Sequence, residues 1–169
     1  MPFPLRSAGR FGLRLRPVED ADLPLLARLY ASTRAEEVAQ TGWPMQLQQA
    51  FLQQQHEAQH SHYRTAFAHA EWSIIQRADD AVGRLYWYER ADDLHVIDIT
   101  LLPEFRGAGW GAAMLGDFLA HAAALGKGVT IHIEKNNPAR SLYDRLGFQV
   151  IEDRGLYDYL RAVPSDAAS

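Results

Sequence analysis

Apolar positions alternate in some stretches of the chain and recur every three or four residues in others, and these two periods divide it into elements. Leu13 and Leu15 alternate with Arg14 and Arg16, a short strand closed by Pro17. Leu25, Leu26, Leu29 and Tyr30 share one helical stripe, with Asp20 or Asp22 ahead of it as N-cap and Pro24 tolerated in the first turn. Thr41-Gly42-Trp43-Pro44 breaks that helix, and a glutamine-rich second helix follows over 45–63. Residues 72–76 and 82–89 read as strands joined by a turn at Ala78-Asp79-Asp80, and 94–101 as a third strand. Leu115, Phe118, Ala122 and Leu125 mark a helix stopped by Gly126. Over 128–134, Val129, Ile131 and Ile133 alternate with Thr130, His132 and Glu134. Asn137 and Pro138 open a further helix that carries Ala139, Leu142, Tyr143 and Leu146 and stops at Gly147. Two last strands fall at 148–151 and 156–160. This order predicts one α/β domain over 11–163, between a flexible N-terminus (1–10) and a flexible polar tail (164–169).

Composition narrows the function. Of 169 residues, 47% are hydrophobic, enough for a sizeable core. A net charge of −4 gives no general attraction to nucleic acid or an anionic membrane. The absence of cysteine excludes disulfides, thiolate metal sites and cysteine nucleophiles, and suits a reducing cytoplasm. The N-terminus lacks the apolar core of a secretory signal, and no apolar run reaches the 18 residues of a membrane span.

Candidate chemistry begins at Arg106-Gly107-Ala108-Gly109-Trp110-Gly111, between a strand and a helix. A helix N-terminus presents free N–H groups and a partial positive charge, and glycines let a phosphate approach them. Arg106 adds a cation of bidentate geometry. A tight turn that needs glycine only for shape is the other reading. The triplet Gly-Lys-Ser/Thr of a Walker A loop is missing. A G-x-G-x-x-A fingerprint fits 107–112 on paper, but it does not follow a first strand.

The stretch RGAGWG resembles the R/Q-x-x-G-x-G/A signature of the GNAT acyl-CoA N-acyltransferases. Residues 136–148 resemble that family's second landmark, N-x-x-A-x-x-L-Y-x-x-x-G-F, and the element order is the family's own. Trp110 departs from the pattern, standing where a smaller aliphatic residue is commoner. The resemblance implies a GNAT fold, a twisted mixed sheet of six to seven strands flanked by about four helices. It also implies acetyl-CoA as co-substrate, transfer of acetyl to a primary amine in a ternary complex, and frequent homodimers. In such folds the pantetheine arm lies between two splayed strands and pairs with backbone near Leu101 and Leu102. The pyrophosphate rests on residues 107–111. Asn136 or Asn137 would bond the arm, motif spacing favouring the first and capping the second.

An attacking amine must lose a proton, so a base is needed. Asp98, set among apolar neighbours in HVIDITL, is the first candidate, because burial raises a carboxyl pKa. Glu134 is the second and His95 the third. The resemblance sets Tyr143 beside the sulfur of the cofactor, and an ordinary phenol stays protonated at neutral pH, able to protonate the leaving thiolate. Trp43, Glu36, Glu37, His56 and Tyr157 are candidate walls of the acceptor site. A rival class is a GNAT-like domain that binds acyl-CoA without turnover. His56-Glu57-Ala58-Gln59-His60 also matches the zinc hydrolase pattern H-E-x-x-H, but Ala66 stands where one continuation needs histidine, so no metal is expected.

Overall fold

The computed structural model describes residues 3–164. Five α-helices and seven strands run through them in the order α1 (Ser7–Arg10), β1 (Leu13–Pro17), α2 (Leu23–Ala39), α3 (Met45–Ala66), β2 (Glu71–Arg77), β3 (Asp80–Glu89), β4 (Asp93–Leu101), α4 (Trp110–Ala124), β5 (Gly128–Glu134), α5 (Arg140–Arg145), β6 (Gln149–Arg154) and β7 (Tyr157–Ala162). The strands form one sheet in the order β1-β2-β3-β4-β5-β7-β6. Only β4 and β5 are parallel; every other neighbouring pair is antiparallel. This is the mixed α/β sheet that the strand periods and the resemblance predict. No helix among the described residues is long and apolar enough to cross a membrane.

The two faces of the sheet are filled differently. On one face, Leu85, Trp87, Leu94, Val96, Val129 and Ile131 pack with Met114, Leu115 and Phe118 of α4 in the larger core. On the other, Leu26 and Leu29 of α2 meet Ile74, Tyr86 and Leu102 in a smaller one. Of the 22 residues of α3 only His56 is buried. It meets the sheet through polar and aromatic side chains, Gln59 at Arg84 and Tyr63 at Trp72 and Tyr86.

Residues 3–10 depart from expectation. Their proline, glycine and arginine content predicts a loose segment, but Phe3 is buried, edge-on to Trp87 and Phe118. The N–H groups of Ser7 and Ala8 donate to the Asp117 carboxylate at 2.9 and 2.8 Å. One aromatic anchor and one distant carboxylate order the segment, and local composition carries neither. The tail expected over 164–169 lies, beyond Pro164, outside the described residues.

The register of β4 positions the site. Tyr88 faces His95 and Tyr86 faces Asp98, with a shift between them that leaves Ile97 as an extra residue. Strict alternation would place Asp98 on the face of Leu94 and Val96. The bulge turns it to the face of His95, Tyr86 and Arg84, and such an insertion also bends its strand. Past it, β4 and β5 part. They pair from Asp93↔Gly128 to Val96↔Ile131, after which β4 continues only with β3 and β5 only with β7.

Candidate active site

The glycine loop closes the wide end of this opening. Gly107 and Gly109 have φ of 80° and 86°, a left-handed backbone that side chains rarely adopt. Gly111, in the first turn of α4, is under no such demand. A Cβ placed there or at Gly107 would meet nothing within 4 Å. No side chain caps α4, so its first N–H groups have no side-chain acceptor among the described residues. The backbone requires two of the three glycines; the third leaves room. Trp110 turns into the core, stacked on Phe105 at 5.5 Å with the Arg77 guanidinium over its ring. It therefore leaves the loop clear, and the residues fit a pyrophosphate held by backbone. Arg106 points elsewhere: its Nε donates to the Leu101 carbonyl at 2.9 Å and its Nη2 to Ser32 at 3.0 Å. Leu102 is buried and gives its N–H to the Val82 carbonyl, which leaves Leu101 as the backbone at the opening.

Asp98 and Tyr143 come together from opposite sides of the sheet. Tyr143 is buried, edge-on to Phe148, and its hydroxyl bonds to no described residue. Gly147, at φ 90°, ends α5 and brings Phe148 back onto it. Burial, and then the charge of Asp98, raise the phenol pKa of Tyr143 and also that of Tyr63 on α3. Both rings thus lie within electrostatic reach of one carboxylate. Asp98 is not an isolated buried acid. It accepts hydrogen bonds from Arg84 Nη2 at 2.7 Å and Thr100 Oγ1 at 2.6 Å.

Arg84 was not among the residues singled out from the sequence. Its side chain is 3% exposed, and Nη2 also reaches Gln59 Oε1 at 3.2 Å. Burial opposes its charge, but Asp98 together with Tyr86 and Tyr63 outweighs burial and leaves the guanidinium pKa raised. A legible signal existed: an arginine amid the apolar AVGRLYWY must find a carboxylate, and HVIDITL on the next strand offers one.

The remaining candidates divide. Glu134, where β5 leaves the opening, is held by Arg34 of α2 at 2.7 Å. Asn137 Oδ1 accepts the Ala139 N–H at 2.8 Å, so this side chain caps a turn, while Asn136 is exposed and makes no bond among the described residues. His95 lies in the paired end of β4, bonded through Nδ1 to Thr130 Oγ1 at 2.9 Å. Burial, then Arg90 and His132, push its pKa down to about 4. Trp43 packs on Phe51 across the α2–α3 connection, and Glu36 and Glu37 are exposed on α2. Tyr157 lies within electrostatic reach of Tyr63. His56 is buried against Tyr30, with Nδ1 unpartnered. The rings of His56 and His60 are 6.0 Å apart. Among the described residues no group of three or more His, Asp or Glu side chains could hold a metal ion.

A mixed sheet whose one parallel pair among the described residues diverges, with a glycine-led helix after the first of its strands, defines the class of fold. The family model of the acetyltransferase (GNAT) domain matches residues 12–149, and the chain belongs to that family. Its structure is similar to that of the PaiA N-acetyltransferase from Thermoplasma acidophilum in complex with coenzyme A, with a TM-score of 0.66 at 12% identity over 89% of this chain and 98% of that one. An acetyltransferase from Thermus thermophilus gives 0.62 at 21% identity over 89% and 96%. At these identities the likeness shows the fold. In sequence, a segment of 67 residues, 39% of this chain, is 28% identical to the ribosomal protein bS18-alanine N-acetyltransferase of Haemophilus influenzae and spans 46% of that relative.

Proposed function

We propose that the protein is an acetyl-CoA-dependent N-acetyltransferase acting on a primary amine by direct attack in a ternary complex. The observation that carries this reading is the divergence of β4 from β5 directly above the open glycine loop, with Asp98 and Tyr143 at its edge. Family membership and the coenzyme A complex of a similar fold support it. Bound acetyl-CoA supplies a thioester-activated acetyl group. The chain supplies the rest. The N–H groups of residues 107–111 hold the pyrophosphate, and Leu101 and Asn136 hold the arm, with Arg106 free to leave Leu101 for a phosphate. Asp98, oriented by Arg84 and Thr100, takes the proton of the incoming amine. Tyr143, kept protonated by burial, donates from its unbonded hydroxyl to the leaving sulfur. Glu134 is the alternative base, and Asp98→Asn beside Glu134→Gln separates them: the larger loss of turnover identifies the base.

The direct test is a thermal melt with and without acetyl-CoA. Ligand at about 100 times its dissociation constant adds about 2.7 kcal/mol. Wild type should shift upward, and Gly109→Glu, which sets a carboxylate and backbone strain at the loop, should not. An equal shift in both proteins would remove the loop from the site; no shift in either would end the acetyltransferase reading.

A further inference from the structure

Beside the glycine loop, between α1, β1 and the β2–β3 turn, lies an open cleft of about 650 Å³. Its walls carry Arg10, Arg14 and Arg77 against a single acid, Asp80, with Phe11 and Phe105 between them. The excess of charge is local. The whole chain is net negative, yet its first eighteen residues hold four arginines and no acid.

The cleft arginines are held without a carboxylate, as Arg106 also is. Arg16, Arg34, Arg84, Arg90, Arg140 and Arg154 each pair with a carboxylate. In the cleft, Arg14 Nη2 donates to the carbonyl of Ala78 at 2.6 Å and Arg77 Nε to that of Phe11 at 3.1 Å. Arg77 also lies over the Trp110 ring, 5.1 Å from its centroid. Neutral carbonyls and an aromatic face fix the guanidinium groups of Arg14 and Arg77. Ala78 holds a φ of 52°, the only positive value on a residue other than glycine among the described residues. Arg10 has no bond to any described residue. None of the three pairs with a carboxylate within 4 Å among the described residues. Two positioned forks with free N–H groups match the geometry of a phosphate, and the aromatic walls suit a flat ring beside it.

The cleft also shares a wall with the loop. A Cβ on Gly109 would stand 3.9 Å from Phe11 Cζ, and Phe105 stacks on Trp110, the residue after Gly109. The geometry points to a phosphate-binding site in this cleft, taking a phosphate monoester carried on a nucleoside. Two sources share that chemistry: the 3′-phosphate end of the cofactor reaching past the loop, or a separate phosphorylated ligand. The first source rests on the acetyltransferase reading; the cleft itself does not.

Calorimetry separates the sources. Acetyl-CoA and acetyl-3′-dephospho-CoA are titrated into wild type, Arg77→Gln and Arg10→Gln, the last lacking any bond whose loss could disturb the fold. In parallel, melts with inorganic phosphate are recorded with acetyl-CoA saturating. If the cofactor reaches the cleft, wild type prefers the phosphorylated form by about tenfold and both variants lose the preference. If a separate ligand uses it, no preference appears, but phosphate raises the melting temperature of cofactor-bound wild type and not of the variants. That shift weakens with added chloride, as an open site requires. The absence of both a preference and a phosphate shift, with acetyl-CoA bound normally, overturns the proposal. A wild type that ignores acetyl-CoA but responds to phosphate through these arginines keeps the cleft and removes the acetyltransferase reading.

Discussion

The two ends of the β4–β5 pair are built from the same strands and end in opposite conditions. At the paired end, polar groups satisfy one another. Arg90 grips Asp93 with both its Nε and Nη2 at 2.6 and 2.7 Å, and reaches Thr130 and Tyr159. His95 bonds Thr130, and His132 stacks on Tyr159. At the diverging end, the Tyr143 hydroxyl has no partner among the described residues, Arg84 Nε is buried unbonded, and a side chain at Gly111 would find empty space. A sheet ladder consumes backbone groups and brings side chains to each other. Where it stops, both are left for a ligand. Histidine and carboxylate at the closed end bond across the strands; at the open end the carboxylate is held only from its own strand and from β3, and the tyrosine hydroxyl is unbonded among the described residues.

The contrast can be broken at either end. The largest effect belongs to Arg84→Met, which strands Asp98 beneath α3 without its cation and should cost about 3 kcal/mol in a urea titration. Adding Asp98→Asn to that variant should recover part of the loss, and no recovery would show that the pair is not the cause. Tyr143→Phe comes next, with kcat lower by about a hundredfold and little change in acetyl-CoA affinity. Unchanged turnover would remove Tyr143 as the acid.

At the closed end the effect depends on pH. The folded pKa of His95, about 4, lies below its unfolded value of 6.5, so the fold favours the neutral ring. The stabilisation is complete above pH 6.5 and is lost as pH falls toward 4, by about 3 kcal/mol. His95→Gln should flatten stability across that window, and a variant curve parallel to wild type would refute the assignment. The smallest effect separates the two asparagines. Asn137→Ala should cost about 1 kcal/mol through the lost turn hydrogen bond. Asn136→Ala should leave the melting temperature alone and weaken acetyl-CoA binding; the reverse pattern would exchange their roles.

Much of this was legible from residues near one another in sequence. The period over 128–134 matches β5, and the stripe from Leu115 to Ala122 lies within α4. Gly107 and Gly109 mark a turn that only glycine makes comfortably, while Asn137, expected to cap a helix at Pro138, holds a turn ahead of α5, which starts at Arg140. What stayed hidden depends on partners far apart. The bond from Asp117 to Ser7 and Ala8 crosses more than a hundred positions, and composition alone made residues 3–10 look loose.

The chain's local pattern thus determined its elements, their order, and the glycine and tyrosine landmarks, because period, capping and turn chemistry act within a few residues. Only the tertiary structure decided which face Asp98 occupies. One extra residue at Ile97 reverses the alternation, and a bulge is a property of two paired strands, invisible in either alone. That same pairing gave Asp98 its arginine, parted β4 from β5, and left the glycine loop open to a ligand.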